Sequence, residues 1–176
     1  MNAGGSVFLI GPMGAGKSAV GRRLATMLKR SFHDTDAEIE QRTGVDIPFI
    51  FEKEGEAGFR YRERQVVMDL TRLQGIVLAT GGGVVLDEAN RRDLAAAGTV
   101  VYLHASVDQQ VQRTRRGRGR PLLETEDPRQ RLADLMSIRE PLYREMADLV
   151  VDTNGRKVIA VAEEIRRWLQ GELTPG

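Results

Sequence analysis

The sequence predicts an α/β fold in which a five-stranded parallel sheet carries helices on both faces, in one domain over residues 1–176. Three observations carry this expectation. Short apolar runs such as Val7-Phe8-Leu9-Ile10 and Ile76-Val77-Leu78-Ala79 read as buried strands, because they are continuous rather than alternating. Longer stretches with apolar residues at helical spacing separate them. A chain of 176 residues with 41% hydrophobic content suits one core, and no internal repeat, low-complexity segment or linker divides it.

The first strand, Val7–Ile10, feeds a helix whose apolar positions Ala19, Val20, Leu24, Ala25 and Leu28 begin after Ser18. Ser31 to Asp34 reads as a short second strand, Asp36 as the cap of a helix through Thr43, and Gly44 as its stop. Asp46 with Ile47-Pro48 opens the next helix, since proline is tolerated in a first turn, and Gly55 closes it. A longer helix runs from Glu56 to Leu73. The third strand, Ile76–Ala79, breaks into Thr80-Gly81-Gly82-Gly83. Asp87 to Ala97 is helical, Thr99 to Leu103 a strand, and Ser106 caps a helix running into the arginine-rich stretch Arg113 to Arg120. Pro128 starts a helix to about Met146, with a kink expected at Pro141. Leu149-Val150-Val151 is the fifth strand, Asp152 to Arg156 a loop, and Val158 to Leu169 a closing amphipathic helix.

The clearest chemistry lies between the first strand and first helix. Gly11-Pro12-Met13-Gly14-Ala15-Gly16-Lys17-Ser18 fits G-x-x-x-x-G-K-[ST], the phosphate-cradling loop. Its glycines let backbone N–H groups turn inward, Lys17 can reach the β- and γ-phosphates, and Ser18 offers a hydroxyl to Mg²⁺. The helix that follows presents its positive end to the anion. A nucleoside triphosphate site follows.

Composition narrows the remaining classes. Lys+Arg 26 against Asp+Glu 25 gives a net charge of +1, so no global field recruits nucleic acid or an anionic membrane. Cysteine is absent and the two histidines, His33 and His104, are far apart, which argues against disulfides, thiolate catalysis and a transition-metal centre. No apolar run reaches membrane length and the N-terminus lacks a signal-peptide pattern. A cytoplasmic protein is expected, acting on small molecules as a monomer, with no nucleic-acid or membrane partner.

Several residues admit two readings. Asp34 and Asp36 flank a strand end beside the phosphate loop: one carboxylate can hold a metal-bound water while the other accepts a hydroxyl proton, or Asp36 is only a helix cap and Asp34 a turn residue. Gly81 to Gly83 can approach a polar ligand closely or simply make a tight turn. Arg60, steered by Glu63 three residues on, and Arg139 beside Pro141 suit capture of a carboxylate in a cleft or surface ion pairs. Arg113, Arg115, Arg116, Arg118 and Arg120, with Gly117 and Gly119 between, read as a cationic lid closing over the nucleotide or as a nucleic-acid-binding arm. Trp168 shares a helical face with Val161 and Ile165 and reads as core.

Taken in order, G-x-x-x-x-G-K-S, F-x-D-x-D-x-x-I-E at Phe32 to Glu40 and G-x-x-I-x-x-I-F at Gly44 to Phe51 resemble the shikimate kinase family. G-E-x-x-F-R-x-x-E at Gly55 to Glu63, T-G-G-G at Thr80 to Gly83, R-P-L-L at Arg120 to Leu123, R-x-P-L-Y at Arg139 to Tyr143 and V-D-T-N at Val151 to Asn154 extend the resemblance over nearly the whole chain. It implies a P-loop, nucleoside-monophosphate-kinase-like fold with a substrate-binding helical region at about 34–63 and a lid at about 113–127. It implies ATP-dependent phosphorylation of the 3-hydroxyl of shikimate, a step of aromatic amino-acid biosynthesis, with ATP as co-substrate and Mg²⁺ as cofactor. By the same resemblance Asp36, Arg60, Gly82 and Arg139 would hold shikimate, the arginines taking its carboxylate and Asp36 doubling as the base. Lys17 and Arg120 would stabilise the transferring phosphoryl group. Gly14, Ala15, Gly16, Lys17, Ser18 and Ala19 would hold the phosphates, Ser18 and Asp34 the metal, and Glu63 would orient Arg60. Phe51, Phe59 and Leu122 would form apolar wall, and Arg113 with the Asp152–Arg156 loop would bound the adenine. The lid of this chain is more basic than the resemblance requires. Alternatives are another small-molecule kinase, acting on gluconate or a nucleoside monophosphate, and a GTPase-like switch suggested by Asp152-Thr153-Asn154-Gly155, although no N-K-x-D follows.

Overall fold

In the computed structural model, residues 4–115, 121–123, 125 and 127–174 are described. The strands are β1 (Ser6–Ile10), β2 (Ser31–Asp34), β3 (Ile76–Ala79), β4 (Gly98–His104) and β5 (Leu149–Asp152). They pair in parallel in the order β2-β3-β1-β4-β5. Helices α1 (Lys17–Leu28), α2 (Thr35–Thr43), α3 (Ile47–Leu70), α4 (Glu88–Ala97), α5 (Val107–Thr114), α6 (Pro128–Met146) and α7 (Val158–Leu169) cover it.

The central strands are largely apolar because both faces are covered. Val7 and Leu9 of β1 point into a cluster with α1 and α7, including Leu24, Ile165 and Trp168. Phe8 and Ile10, one residue out of phase, point into a second cluster with α3, α4 and α6, including Val67, Leu94 and Tyr143. Because β3 inserts beside β1, the loops after these two strands are neighbours across the carboxyl edge. Thr80 secures that junction, donating from its backbone N–H at 3.1 Å and its hydroxyl at 2.8 Å to the Leu9 carbonyl. Ligands of open α/β sheets bind at such an edge, where successive connections diverge.

Some local expectations hold and others change. The cap of α2 is Asp34, not Asp36: Asp34 Oδ1 accepts from the N–H groups of Asp36 and Ala37, so Thr35 is the first helical residue. The two helices expected on either side of Gly55 are both present and meet there at a kink, where Gly55 takes φ 72°, a conformation that favours glycine; the pair is labelled α3, and the second helix ends at Leu70, short of Leu73. Helix α6 runs through Pro141, and Arg139 is buried because it shares a face with Leu132, Leu135 and Tyr143, at spacings of three, four and four residues. A short 3₁₀ turn at Val84–Leu86, not expected from the sequence, connects the glycine run to α4.

Candidate active site

The loop after β1 is shaped for an anion by backbone alone. Gly14 and Gly16 adopt φ 79° and 87°, and Gly11 packs so closely on β4 that an added Cβ would lie 2.4 Å from the Leu103 carbonyl oxygen. Five helices, α2 to α6, are capped by a side chain, but α1 begins at Gly16 with no such cap and no acidic residue in its first turn. Its first N–H groups therefore face the cleft with their dipole uncompensated. Lys17 is folded over the loop, donating to the carbonyls of Gly11 at 2.6 Å and Pro12 at 2.7 Å. Arg113, from the end of α5, bridges the same loop to the one after β5, bonding the carbonyls of Gly14 and Thr153, each at 2.8 Å.

Asp34 and Asp36 divide their work by geometry. Asp34 uses one oxygen to cap α2 and the other to accept from the Ser18 hydroxyl at 2.6 Å. Asp36 is released from capping. Its Oδ1 is buried without a hydrogen-bond partner, and burial, reinforced by nearby Asp34, raises its carboxyl from 3.8 to about 6.

Beyond Asp36 lies a compartment lined by the glycine run, by Arg60 and Glu63 of α3 and by Arg139 of α6. Arg60 bonds buried Glu63 at 2.9 Å and the more exposed Glu56 at 3.3 Å. Glu63 keeps its second oxygen unpartnered, and burial raises its carboxyl from 4.5 to about 7 despite the adjacent Arg60. Each glycine leaves little room for a side chain. A Cβ on Gly81 would lie 3.1 Å from both Asp36 Oδ1 and Glu63 Oε2, one on Gly82 would lie 3.3 Å from Arg139 Nη1, and one on Gly83 would sit 2.3 Å from Arg60 Nη2. The run is thus where two carboxylates and two guanidiniums converge. Phe51 and Phe59, with ring centroids 4.9 Å apart, close the apolar side.

A larger cavity of about 700 Å³ adjoins this compartment and shares Met13, Asp36, Ile47, Gly81 and Gly82 with it. Gly14, Gly16, Lys17, Ser18, Ala19, Asp34 and Arg113 line it. The structure therefore gathers most of the residues singled out from sequence around two joined spaces with Asp36 at their junction. Ala15 and Arg156 fall elsewhere, and others are not described. Ala15 is packed into the core and its N–H bonds the Pro12 carbonyl; Arg156 pairs with the Asp152 carbonyl and Glu164 at the outer end of the β5 loop; Arg120 and the side chain of Leu122 lie outside the described residues, as do Arg116 and Arg118. Residues without an assigned role also emerge. The Thr35 hydroxyl accepts from Gly81 N–H at 3.0 Å, and the Tyr143 hydroxyl donates to the Gly82 carbonyl at 2.5 Å. Thr35 sits between two aspartates with no pattern to mark it, whereas Tyr143 follows Arg139 by one helical turn, a spacing visible in the sequence.

The shikimate kinase family model matches residues 13–170. The shikimate kinase of Shewanella loihica is 56% identical over 160 residues, which cover 91% of this chain and 94% of that protein. Among solved structures, shikimate kinase from Acinetobacter baumannii in complex with shikimate has a TM-score of 0.93 at 50% identity, covering 97% of this chain and 96% of its own. Shikimate kinase from Aquifex aeolicus has a TM-score of 0.83 at 34% identity, over 97% and 99% of the two chains.

Proposed function

The chain belongs to the shikimate kinase family, and we propose that its two joined cavities align ATP and shikimate for transfer of the γ-phosphoryl group to the 3-hydroxyl. The reaction is ATP-dependent phosphorylation of shikimate, a step of the shikimate pathway. The observation that carries the site assignment is Asp36: a buried carboxylate oxygen with no partner, at the junction of the phosphate loop and the paired-arginine compartment.

In this reading the triphosphate lies on the loop from Gly14 to Ala19, where the uncapped start of α1 supplies N–H donors. Lys17 exchanges a carbonyl contact for the β- and γ-phosphates. Ser18 and Asp34 suit Mg²⁺: one hydroxyl and one carboxylate are hard oxygen donors, few enough for a cation that keeps waters and binds phosphate oxygens. Among the described residues no group of three or more acidic or histidine side chains could hold a cation without the nucleotide. Bound there, the ion would neutralise charge on the β- and γ-phosphates. Arg60 and Arg139 hold the shikimate carboxylate, Gly82 N–H and Asp36 its hydroxyls, and Glu63 fixes Arg60.

Asp36 Oδ1 then accepts the 3-hydroxyl proton as that oxygen bonds to the γ-phosphorus and the bond to the β-phosphate oxygen breaks, giving shikimate 3-phosphate and ADP. Arg120, from the lid at about 113–127, is assigned to the charge on the transferring group. Arg113 and the Asp152–Arg156 loop bound the adenine, supported by the bridge from Arg113 to Thr153. We assign the 176 residues to a single kinase domain, with substrate-binding helices at about 34–63. In this reading it works as a monomer in the cytoplasm; no helix among the described residues is long and apolar enough to cross a membrane.

ADP release with Mg-ATP and shikimate, gluconate, a nucleoside monophosphate or no acceptor, each beside Lys17→Ala, tests this. Shikimate-dependent release lost in the variant is expected. Release with another acceptor, or without any, overturns it.

A further inference from the structure

We propose that Tyr143 is a positioning residue for the acceptor, its hydroxyl locking the Gly82 carbonyl to α6 and thereby setting Gly82 against Arg139. The proposal rests on the assignment of Arg139 and Gly82 to shikimate and adds the group that holds them in register. Tyr143 has no exposed surface, and its hydroxyl donates to Gly82 across 61 positions of sequence at 2.5 Å. The Arg139 guanidinium, one helical turn earlier, is near enough to the same hydroxyl to interact with it electrostatically. One hydroxyl thus donates to Gly82 and lies beside Arg139, joining a backbone group and a side chain that face the same ligand.

The surroundings make this a fixed point. The Tyr143 ring stacks on Tyr102 with centroids 5.0 Å apart, and the Tyr102 hydroxyl is itself engaged by Glu140, whose other oxygen accepts from Arg144 at 2.5 Å. Gly82 sits where an added Cβ would meet Arg139 on one side and, at 3.5 Å, the Met13 N–H nitrogen of the phosphate loop on the other. A shift of the Gly82 peptide would therefore alter the spacing between the acceptor site and the phosphate loop. Burial holds the Tyr143 hydroxyl far above the usual tyrosine range, so it stays a neutral donor at any working pH. A phenylalanine would fill the same core space, and the hydroxyl adds a polar atom that burial penalises unless it is bonded. Its bond leads to the acceptor compartment.

Tyr143→Phe separates positioning from packing. The expected result is a KM for shikimate raised about tenfold, as for loss of one buried hydrogen bond, with the KM for ATP within twofold and kcat within threefold. Tyr102→Phe removes the neighbouring hydroxyl, which serves Glu140, and should leave the shikimate KM within twofold. Combined with Arg139→Ala, Tyr143→Phe should add less than its separate effect. A lowered Tm with unchanged shikimate KM, or an equal KM shift from Tyr102→Phe, overturns the proposal and returns Tyr143 to the core. If Arg139→Ala also leaves the shikimate KM unchanged, the acceptor assignment itself has failed. The parent protein gives an independent reading should Tyr143→Phe not fold: the proton NMR signal of the Tyr143 hydroxyl should shift with shikimate and not with ATP. A signal that moves with neither, or with ATP alone, overturns it.

Discussion

The nucleotide half and the acceptor half of the cleft are built on opposite principles. The nucleotide half is one contiguous run, Gly11 to Ala19, whose binding groups are largely backbone N–H donors and whose polar side chains are engaged: Lys17 by two carbonyls, Ser18 by Asp34. The acceptor half is assembled from α2, α3, the loop after β3 and α6, and it leaves Asp36 Oδ1, Glu63 Oε2 and Arg60 Nε buried without partners. A loop can hold phosphate with groups any residue carries, so its sequence needs mainly glycines and a lysine. A small polyol acid needs charged side chains in a dry pocket, and their unsatisfied atoms cost stability until the ligand arrives.

The largest expected effect separates these halves at Asp36. Asp36→Asn should lower turnover by about a thousandfold, in the range for loss of a positioned base, with ATP affinity retained. The same change should stabilise the free protein. With its carboxyl raised from 3.8 to about 6, native Asp36 binds a proton that the unfolded chain does not across that interval, so stability falls as pH rises from about 4 to about 6. The ionised group costs about 3 kcal/mol above that interval by linkage, a cost the asparagine lacks. Thermal unfolding at pH 8 should show the variant with the higher Tm and the two proteins converging near pH 4. A variant that is less stable at pH 8 would show that the acceptor half is not the strained one.

Arg139→Ala follows. Removing a buried charge-assisted contact should raise the shikimate KM by an amount corresponding to about 2 kcal/mol or more while leaving the ATP KM alone. Equal effects on both constants would erase the distinction between the halves. Gly83→Ala should act through Arg60, whose guanidinium the new methyl group would displace, raising the shikimate KM by about tenfold, within the range of one weakened charged hydrogen bond. An unchanged KM would show that Arg60 has room to move.

The pH dependence of the parent is gentler. In kcat/KM, which reports the free enzyme, activity should fall tenfold per unit as pH drops below about 6, because Asp36 takes up a proton and loses its capacity as base. A flat profile down to pH 5 would remove Asp36 from that role. Arg156→Ala should have the smallest effect, within about twofold on the ATP KM, since its hydrogen bonds go to Asp152 and Glu164 and not into the cleft.

The same contrast governs what could be read before folding. The phosphate loop, the apolar strands and most helix limits were legible because their causes lie within a few residues: glycine at a turn, continuous apolar runs, apolar side chains at helical spacing. Arg60 and Glu63 were recognisable as a helical pair for the same reason. Asp34 and Asp36 were ambiguous because capping depends on where the helix starts, which a one-residue shift reverses. Arg139 was expected to turn inward beside Pro141, and it is buried on the face of α6 that carries Leu132, Leu135 and Tyr143.

By itself, then, the sequence determined the fold class, the phosphate loop and, through its ordered motifs, the family. Only the tertiary structure decided that Asp36 is the free carboxylate and that the three glycines clear space for Asp36, Glu63, Arg139 and Arg60. It also placed Tyr143 behind Gly82. The reason is range: propensity, capping and periodicity act between neighbours in the chain, whereas burial and the pairing of distant polar groups exist only once β3 has inserted beside β1 and α3 and α6 have closed over the sheet.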